Sequence, residues 1–293
     1  MNYISDLRNH LKLDPSVRDE FLLELNNHLD EKSAELRESG LSAEEARDRA
    51  LKELGPASLI ASQIYEVYSQ GTWKQALSAA LPHVLIALLF AFHLMLNVMW
   101  VIGLTVLVAG ASIYGWSRGK PTWLFPWLGC LLLPALMTGT LLIYLPSGWA
   151  WFAALTYIPL AGFVLIQVIR QFLKRDWLFV SLTLLPVPIA LGWILAFSLS
   201  NKFLNTDHIY ATASWIALSF AILALTAAIF IRVRKRWQKT LVLIIPEILV
   251  LSVVALNSNN YISLWGWLLI CIIAIGLIMG PAVLERTLKN KED

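Results

Sequence analysis

The sequence predicts an all-α protein: a small helical domain followed by a bundle of about eight membrane-spanning helices. Three observations carry that expectation. First, 58% of the 293 residues are hydrophobic and only 15% charged, against about 25% charged in an average soluble domain. Second, the charge is segregated. Residues 1–74 hold 9 of the 23 Lys/Arg and 14 of the 20 Asp/Glu, a net of −5, while residues 75–293 hold 14 basic and 6 acidic residues, a net of +8. Third, apolar runs near the roughly 20 residues that cross a bilayer recur beyond Trp73. The composition shift at Trp73–Lys74 separates a domain of residues 1–72 from a membrane domain of residues 73–293.

Four helices are legible in the first domain. Residues 3–12 form a short first helix. Asp14 suits an N-cap and Pro15 the first helical position, where a missing N–H costs nothing. From there Val17, Phe21, Leu25, Leu29 and Leu36 recur near helical spacing on a charged helix that Gly40 closes. Ser42-Ala43-Glu44-Glu45 is a capping box opening a third helix, Ala43 to Leu54, which stops at Gly55. Pro56 opens a fourth, with Leu59, Ile60, Ile64 and Val67 expected as its apolar face. About 70 residues make a marginal core, so docking on a partner or on the membrane is expected to help hold it. The first 20 residues are polar and mixed in charge, so no signal peptide is expected and the domain should stay in the cytoplasm.

Within these helices Glu24-Leu25-Asn26-Asn27-His28-Leu29-Asp30, then Glu35-Leu36, Gly40-Leu41-Ser42-Ala43-Glu44-Glu45-Ala46 and Ala50-Leu51-Lys52-Glu53-Leu54-Gly55 resemble the HAAS, or permease prefix, domain of bacterial membrane proteins. The resemblance covers about a quarter of the chain. It implies a cytoplasmic regulatory module, of the kind associated with PadR-like transcriptional regulators or preceding exporter permeases. The exposed polar part of the pattern, Glu24, His28 and Glu31, is the candidate partner surface, Glu24 and His28 being i, i+4 neighbours. An ordinary solvated helix face is the alternative, since most of the pattern is capping and core leucine.

In the second domain the expected spans are 75–94, 98–116, 122–145, 149–169, 177–200, 209–231, 240–256 and 264–284. The turn between the first two, around Leu96-Asn97, is tight. With the N-terminus inside, the cytoplasmic loops carry Arg118, Lys120, Arg170, Lys174, Arg175, Arg232, Arg234, Lys235, Arg236, Lys239, Arg286, Lys289 and Lys291, and the opposite loops only Lys202. That 13-to-1 bias satisfies the positive-inside rule at every loop and puts both termini in the cytoplasm of a multi-pass inner-membrane protein. Trp73, Trp116, Trp123, Trp149, Trp177, Trp237 and Trp265 fall near the span ends, as interfacial anchors do.

Trp73, Trp177 and Trp237 each precede a proline (Pro82, Pro186, Pro246) by nine residues, and Trp123 precedes Pro134 by eleven. This suggests four tandem helical hairpins, although proline and tryptophan are both common in membrane helices. The residues after the prolines are His83, Ala135, Val187 and Glu247. Glu247 is the only carboxylate well inside an expected span, roughly 15 Å from the interface at 1.5 Å per residue. Ionisable groups at that depth are functional-site candidates, and His83 at similar depth makes a His83–Glu247 pair conceivable. The plainer reading of Glu247 is a protonated acid hydrogen-bonded to a neighbouring helix.

No phosphate-binding loop, nucleophile elbow, zinc-protease motif or dinucleotide fingerprint occurs, and Cys130 and Cys271 lie in apolar runs with no redox or zinc spacing. An enzyme is therefore not expected, nor are a cofactor, a metal or direct nucleic-acid binding. The bilayer is one expected partner, and a cytoplasmic protein the other. Two readings remain. In one, a membrane regulatory protein holds a PadR-like regulator through its helical head. In the other, a transporter or exporter subunit uses Glu247 and His83, with an ATPase as partner. The outward loops are too short for the large external domain of one class of prefix-bearing exporters.

Overall fold

The computed structural model describes residues 3–11, 15–141, 151, 155, 176–199, 206–257 and 263–289. Every regular element among them is helical. They divide into two compact units, Met1–Gln70 with Arg234–Arg236, and Gly71–Val233 with Trp237–Asp293.

The first unit holds α1 (Tyr3–His10), α2 (Pro15–Glu38), α3 (Ala43–Leu54) and α4 (Ala57–Tyr68). The helix ends follow the sequence signals closely. At the end of α2, Gly40 takes φ +99°, and the N–H groups of Gly40 and Leu41 donate to Arg37 O and Leu36 O, closing the last turn in a Schellman pattern. The capping box forms: Glu45 N donates to Ser42 Oγ at 3.3 Å and Ser42 N to Glu45 Oε2 at 3.1 Å. These bonds hold the Glu45 carboxyl below its usual range, because they favour the charged form. The expected N-cap at Asp14 lies outside the described residues.

Two patches of apolar packing hold this unit. Leu7, Leu11, Leu22, Ala57 and Ala61 are buried, with Tyr3, Ile4, Phe21, Leu25, Ile60 and Ile64 packed around them. Ala46 and Ala50, one turn apart, are buried on α3, whose main neighbour is α2. Tyr3 Oη donates to Gly55 O at 3.0 Å, and burial followed by the charge of Asp6 raises its pKa. The expected face of α4 needs correction. Leu59 and Val67 are 51% and 74% exposed, while Ala57, Ala61 and Tyr65 are buried. The small residues set the phase because they allow α4 to approach its neighbours closely, and Leu59 and Val67 fall off that stripe.

The second unit holds α5 (Trp73–Ala91), α6 (Val98–Ser117), α7 (Leu124–Leu141), α8 (Trp177–Leu184), α9 (Pro186–Leu199), α10 (Thr206–Arg232), α11 (Arg236–Asn257) and α12 (Leu264–Lys289). Six stretches among the described residues are long and apolar enough to cross a membrane: α5, α6, α8 with α9, α10, α11 and α12. The apolar part of α7, Leu124–Pro134, is shorter, and the expected span 149–169 falls almost wholly outside the described residues. Many large apolar side chains face outward, among them Met99, Trp100, Ile102 and Val106 on α6 and Leu269, Ile272 and Ile275 on α12. Such a surface belongs in lipid, and the chain is a multi-pass membrane protein.

The closest packing in this unit joins α5 to α10. Gly71 N donates to Ile231 O at 2.8 Å, and Arg232 Nη1 donates to Gly71 O at 2.8 Å with its guanidinium 4.5 Å from the centre of the Trp73 ring. Midway, the His83 and Phe220 rings stack at 6.5 Å, and at the far end His93 meets Tyr210 edge-on at 5.2 Å. The two helices are thus antiparallel and in register throughout. Small residues permit this approach: Ala76, Ala79 and Ala80 on α5, and Ala213, Ala217, Ala224 and Ala227 on α10 are all buried. The sequence neighbours α5 and α6 touch far less. They are joined by a turn in which His93 takes φ 56° and Asn97 caps α6.

Within the expected span 177–200 the backbone stays helical, with φ −52° and ψ −41° at Leu185, but the ladder of hydrogen bonds has a gap. Leu185 separates α8 from α9, and Pro186 and Pro188 follow it. Neither proline has an N–H, so the carbonyls of Leu182 and Leu184 lose their α-helical donors. Pro82, Pro134 and Pro246 each sit singly inside a helix and remove one donor each.

Candidate functional site

Glu247 and His83 are both deep in the second unit. Glu247 is 2% exposed and His83 0%. Neither carboxylate oxygen of Glu247 and neither ring nitrogen of His83 has a hydrogen-bond partner among the described residues. His83 and Glu247 therefore do not bond to each other, and Glu247 makes no bond to a neighbouring helix among the described residues. Leaving such groups unpaired in an apolar interior costs about 1–3 kcal/mol each, which makes both positions expensive to keep.

The packing explains why they do not meet. Helix α10 is buried on two stripes. One, through Ala217, Phe220, Ala224 and Ile231, faces α5 and receives His83. The other, through Ser219, Leu223, Thr226 and Phe230, faces α8, α9 and α11: Trp193 Nε1 donates to Ser219 Oγ at 3.3 Å, and Phe230 meets Phe179 edge-on at 5.7 Å. Lys239 of α11 lies on this second side, its Nζ 4.9 Å from the Phe230 ring centre and 5.8 Å from that of Phe179. Lys239, Leu243, Glu247, Val250, Leu251 and Val254 form the buried face of α11. His83 and Glu247 thus approach α10 from different sides.

The surroundings of Glu247 follow from register. Near its start α11 meets α8 through Lys239 and Phe179. Two to three turns on, Leu251 and Val254 stand beside Gly192 of α9. The helices therefore run parallel. Glu247, one turn before Leu251, comes level with Pro188, one turn before Gly192, whose missing N–H leaves the Leu184 carbonyl without its α-helical donor. Helix α7 packs against another face of the same stretch, at Thr183 and Pro186. A side chain at Gly129 would collide with the Thr183 carbonyl and lie 3.2 Å from Pro186 Cγ.

Three further charged residues lie on this side of the bundle, near the starts of α8 and α11. Lys239, counted by sequence as a loop cation, is 1% exposed inside the bundle. Asp176 is 0% exposed and accepts from Leu178 N at 3.3 Å, while Trp177 N donates to Glu285 Oε2 at 3.4 Å. Two carboxylates therefore sit at the start of α8, where the helix dipole favours negative charge. The signal for Lys239 was available: Lys239, Leu243 and Glu247 keep i, i+4 spacing, so burial of one predicts burial of the others. Asp176 and Glu285 carried no such signal, because each sits at the edge of an apolar run. Among the described residues, no three His, Cys, Asp or Glu side chains gather as a metal site.

On the first unit, Glu24, His28 and Glu31 share the outer face of α2 and are exposed. His28 Nδ1 lies 3.8 Å from Glu31 Oε2, with both side chains well exposed at 70% and 83%. Glu35 and Glu38 continue the acidic stripe, and Leu23, 65% exposed, stands beside it. Lys32 is bound to Glu35 at 2.8 Å, a contact that raises its pKa. The stripe takes no part in the core of the unit.

A protein-family model, HAAS, matches residues 2–63, the stretch that folds as α1 to the middle of α4. No curated protein and no solved structure matches the chain.

Proposed function

We propose that this membrane protein, built on an N-terminal HAAS domain, is a regulatory component that uses this domain to hold a cytoplasmic protein partner of the PadR-like regulator class. The observation that carries the reading is the HAAS match over residues 2–63, joined by only Ser69–Thr72 to a body of apolar spans. The stripe Glu24, His28, Glu31, Glu35 is suited to a basic partner surface, where complementary charge speeds and orients docking. With the buried Lys239 set aside, the 12-to-1 bias of basic residues supports a cytoplasmic head and an inner-membrane location.

The test uses full-length protein in detergent and the PadR-like regulators of the source genome, produced separately. The expected result is a complex with at least one of them that is lost at Glu24→Arg/Glu31→Arg. Binding to none of them, or equal binding by the charge-reversed protein, would refute the reading.

A second reading, a transporter or exporter subunit with an ATPase partner, is favoured by a different observation: Glu247 and His83 are buried with no hydrogen-bond partner among the described residues. Under that reading, reconstituted vesicles would show uptake or release of a solute that Glu247→Gln abolishes.

A further inference from the structure

We infer that the connection between α10 and α11 binds the headgroups of anionic phospholipids. Four of the five residues 232–236 are basic, Arg232, Arg234, Lys235 and Arg236, and the chain carries no carboxylate between Asp207 and Glu247. Arg232 ends α10 and Arg236 starts α11, so these cations lie directly at the ends of two apolar spans. Arg234 and Lys235 are exposed, and Arg232 is partly so. Lys74, exposed in the first turn of α5, adds a fifth cation next to Trp73 in the chain. The contacts of the arginines fix their positions without neutralising them. Arg232 Nη1 donates to Gly71 O at 2.8 Å and Arg234 Nε to Gln70 Oε1 at 2.6 Å. Both acceptors are neutral, and a guanidinium has five N–H donors in all. Arg236 differs, since it lines a cleft of the first unit that also includes Glu66.

Two indoles set the depth of the cluster. Trp73 and Trp237 are 66% and 60% exposed at the starts of α5 and α11, and the Arg232 guanidinium lies 4.5 Å from the centre of the Trp73 ring. Exposed indoles at span ends sit at the level of the lipid headgroups. That depth selects a lipid over a soluble polyanion. The uncompensated positive charge then selects a headgroup of net negative charge over a zwitterionic one. Clusters of about four to eight cations beside a span bind anionic lipids in this way. The α6–α7 loop makes a weaker case, because Arg118 and Lys120 are only two cations and are held over the rings of Tyr114 and Trp116.

The inference makes no use of the HAAS partner and stands or falls separately from it. The experiment places full-length protein in phosphatidylcholine bilayers with a rising fraction of phosphatidylglycerol brominated on its acyl chains, which quenches nearby tryptophans. Brominated phosphatidylcholine gives the reference curve. The expected result is a component of the quenching, reported by Trp73 and Trp237, that saturates at a low fraction of phosphatidylglycerol. Arg234→Gln/Lys235→Gln should weaken that preference about thirtyfold, as loss of two cations at a charged bilayer surface does. Arg118→Gln/Lys120→Gln should leave it in place. The charge-keeping swap Arg234→Lys/Lys235→Arg should retain the preference, which separates lost charge from lost packing. Quenching no stronger with phosphatidylglycerol than with phosphatidylcholine would overturn the inference. So would a preference that survives Arg234→Gln/Lys235→Gln or is lost in the swap. Displacement by inorganic phosphate at constant ionic strength would also overturn it, by making this a site for a soluble anion.

Discussion

Gly129→Ala should destabilise the membrane unit by about 1–3 kcal/mol, the usual cost of overpacking a close contact. A Cβ built at this position meets the Thr183 carbonyl at an impossible separation, with Pro186 Cγ and Cδ at 3.2 and 3.3 Å. The first obstacle is backbone and the second a proline ring, so neither can rotate away. Helix α7 would have to shift bodily from α8. At about 2–4 °C per kcal/mol for a domain of this size, the apparent Tm should fall by about 2–12 °C. Scanning fluorimetry on the detergent-solubilised protein reads the change through its tryptophans. Gly103→Ala and Gly110→Ala supply the control, because nothing lies within 4 Å of a Cβ at either position. These should match the wild type within about 0.5 kcal/mol, as surface substitutions usually do. If Gly129→Ala unfolds no lower than those controls, the close approach of α7 to Thr183 and Pro186 is wrong.

The capping box makes the HAAS unit sensitive to acid. Glu45 has a lowered folded pKa against an ordinary 4.5, so its contribution is complete above 4.5 and is lost as pH falls through the folded value. Amide exchange in α3 of the full-length protein should quicken below that window, and Glu45→Gln should flatten the dependence. At the other end of the chain, Lys239→Ala should cost more stability than Lys235→Ala by about 2 kcal/mol, since truncating a buried ion leaves its partners unpaired. Lys235 is exposed, and equal Tm values for the two variants would contradict the burial of Lys239.

Much of the first unit was readable because its signals are local. Proline, glycine and serine at helix ends act within a turn, and the third helix runs from Ala43 to Leu54 as the capping box and Gly55 dictate. The phase of α4 was not readable, because Leu59 and Val67 look more apolar than Ala57 and Ala61, and only the approach of a neighbour reveals which stripe is needed. In the membrane unit hydropathy located the spans but not their partners. That α5 pairs with α10 depends on alanines matched across more than a hundred residues, a pattern invisible in either segment alone. Glu247 stood out because a carboxylate within an apolar run is rare. Lys239 did not, because a cation near a span end reads as a loop residue. The gap in the hydrogen-bond ladder at Leu185 goes with two prolines, Pro186 and Pro188, whereas the helices at Pro82 and Pro246 carry one each.

The antiparallel partners α5 and α10 are made at different times. Helix α5 begins at Trp73 and α10 ends at Arg232. At about 5–20 residues per second of synthesis, α5 waits on the order of 10–30 s before its partner is complete. During that interval its alanine face and the His83 ring have no α10 to pack against, in a bilayer that offers imidazole nothing to bond. Any route to the finished bundle therefore passes through a state in which α5 has that face unmatched, and the state lasts longer the more slowly the chain from α6 to α10 is made.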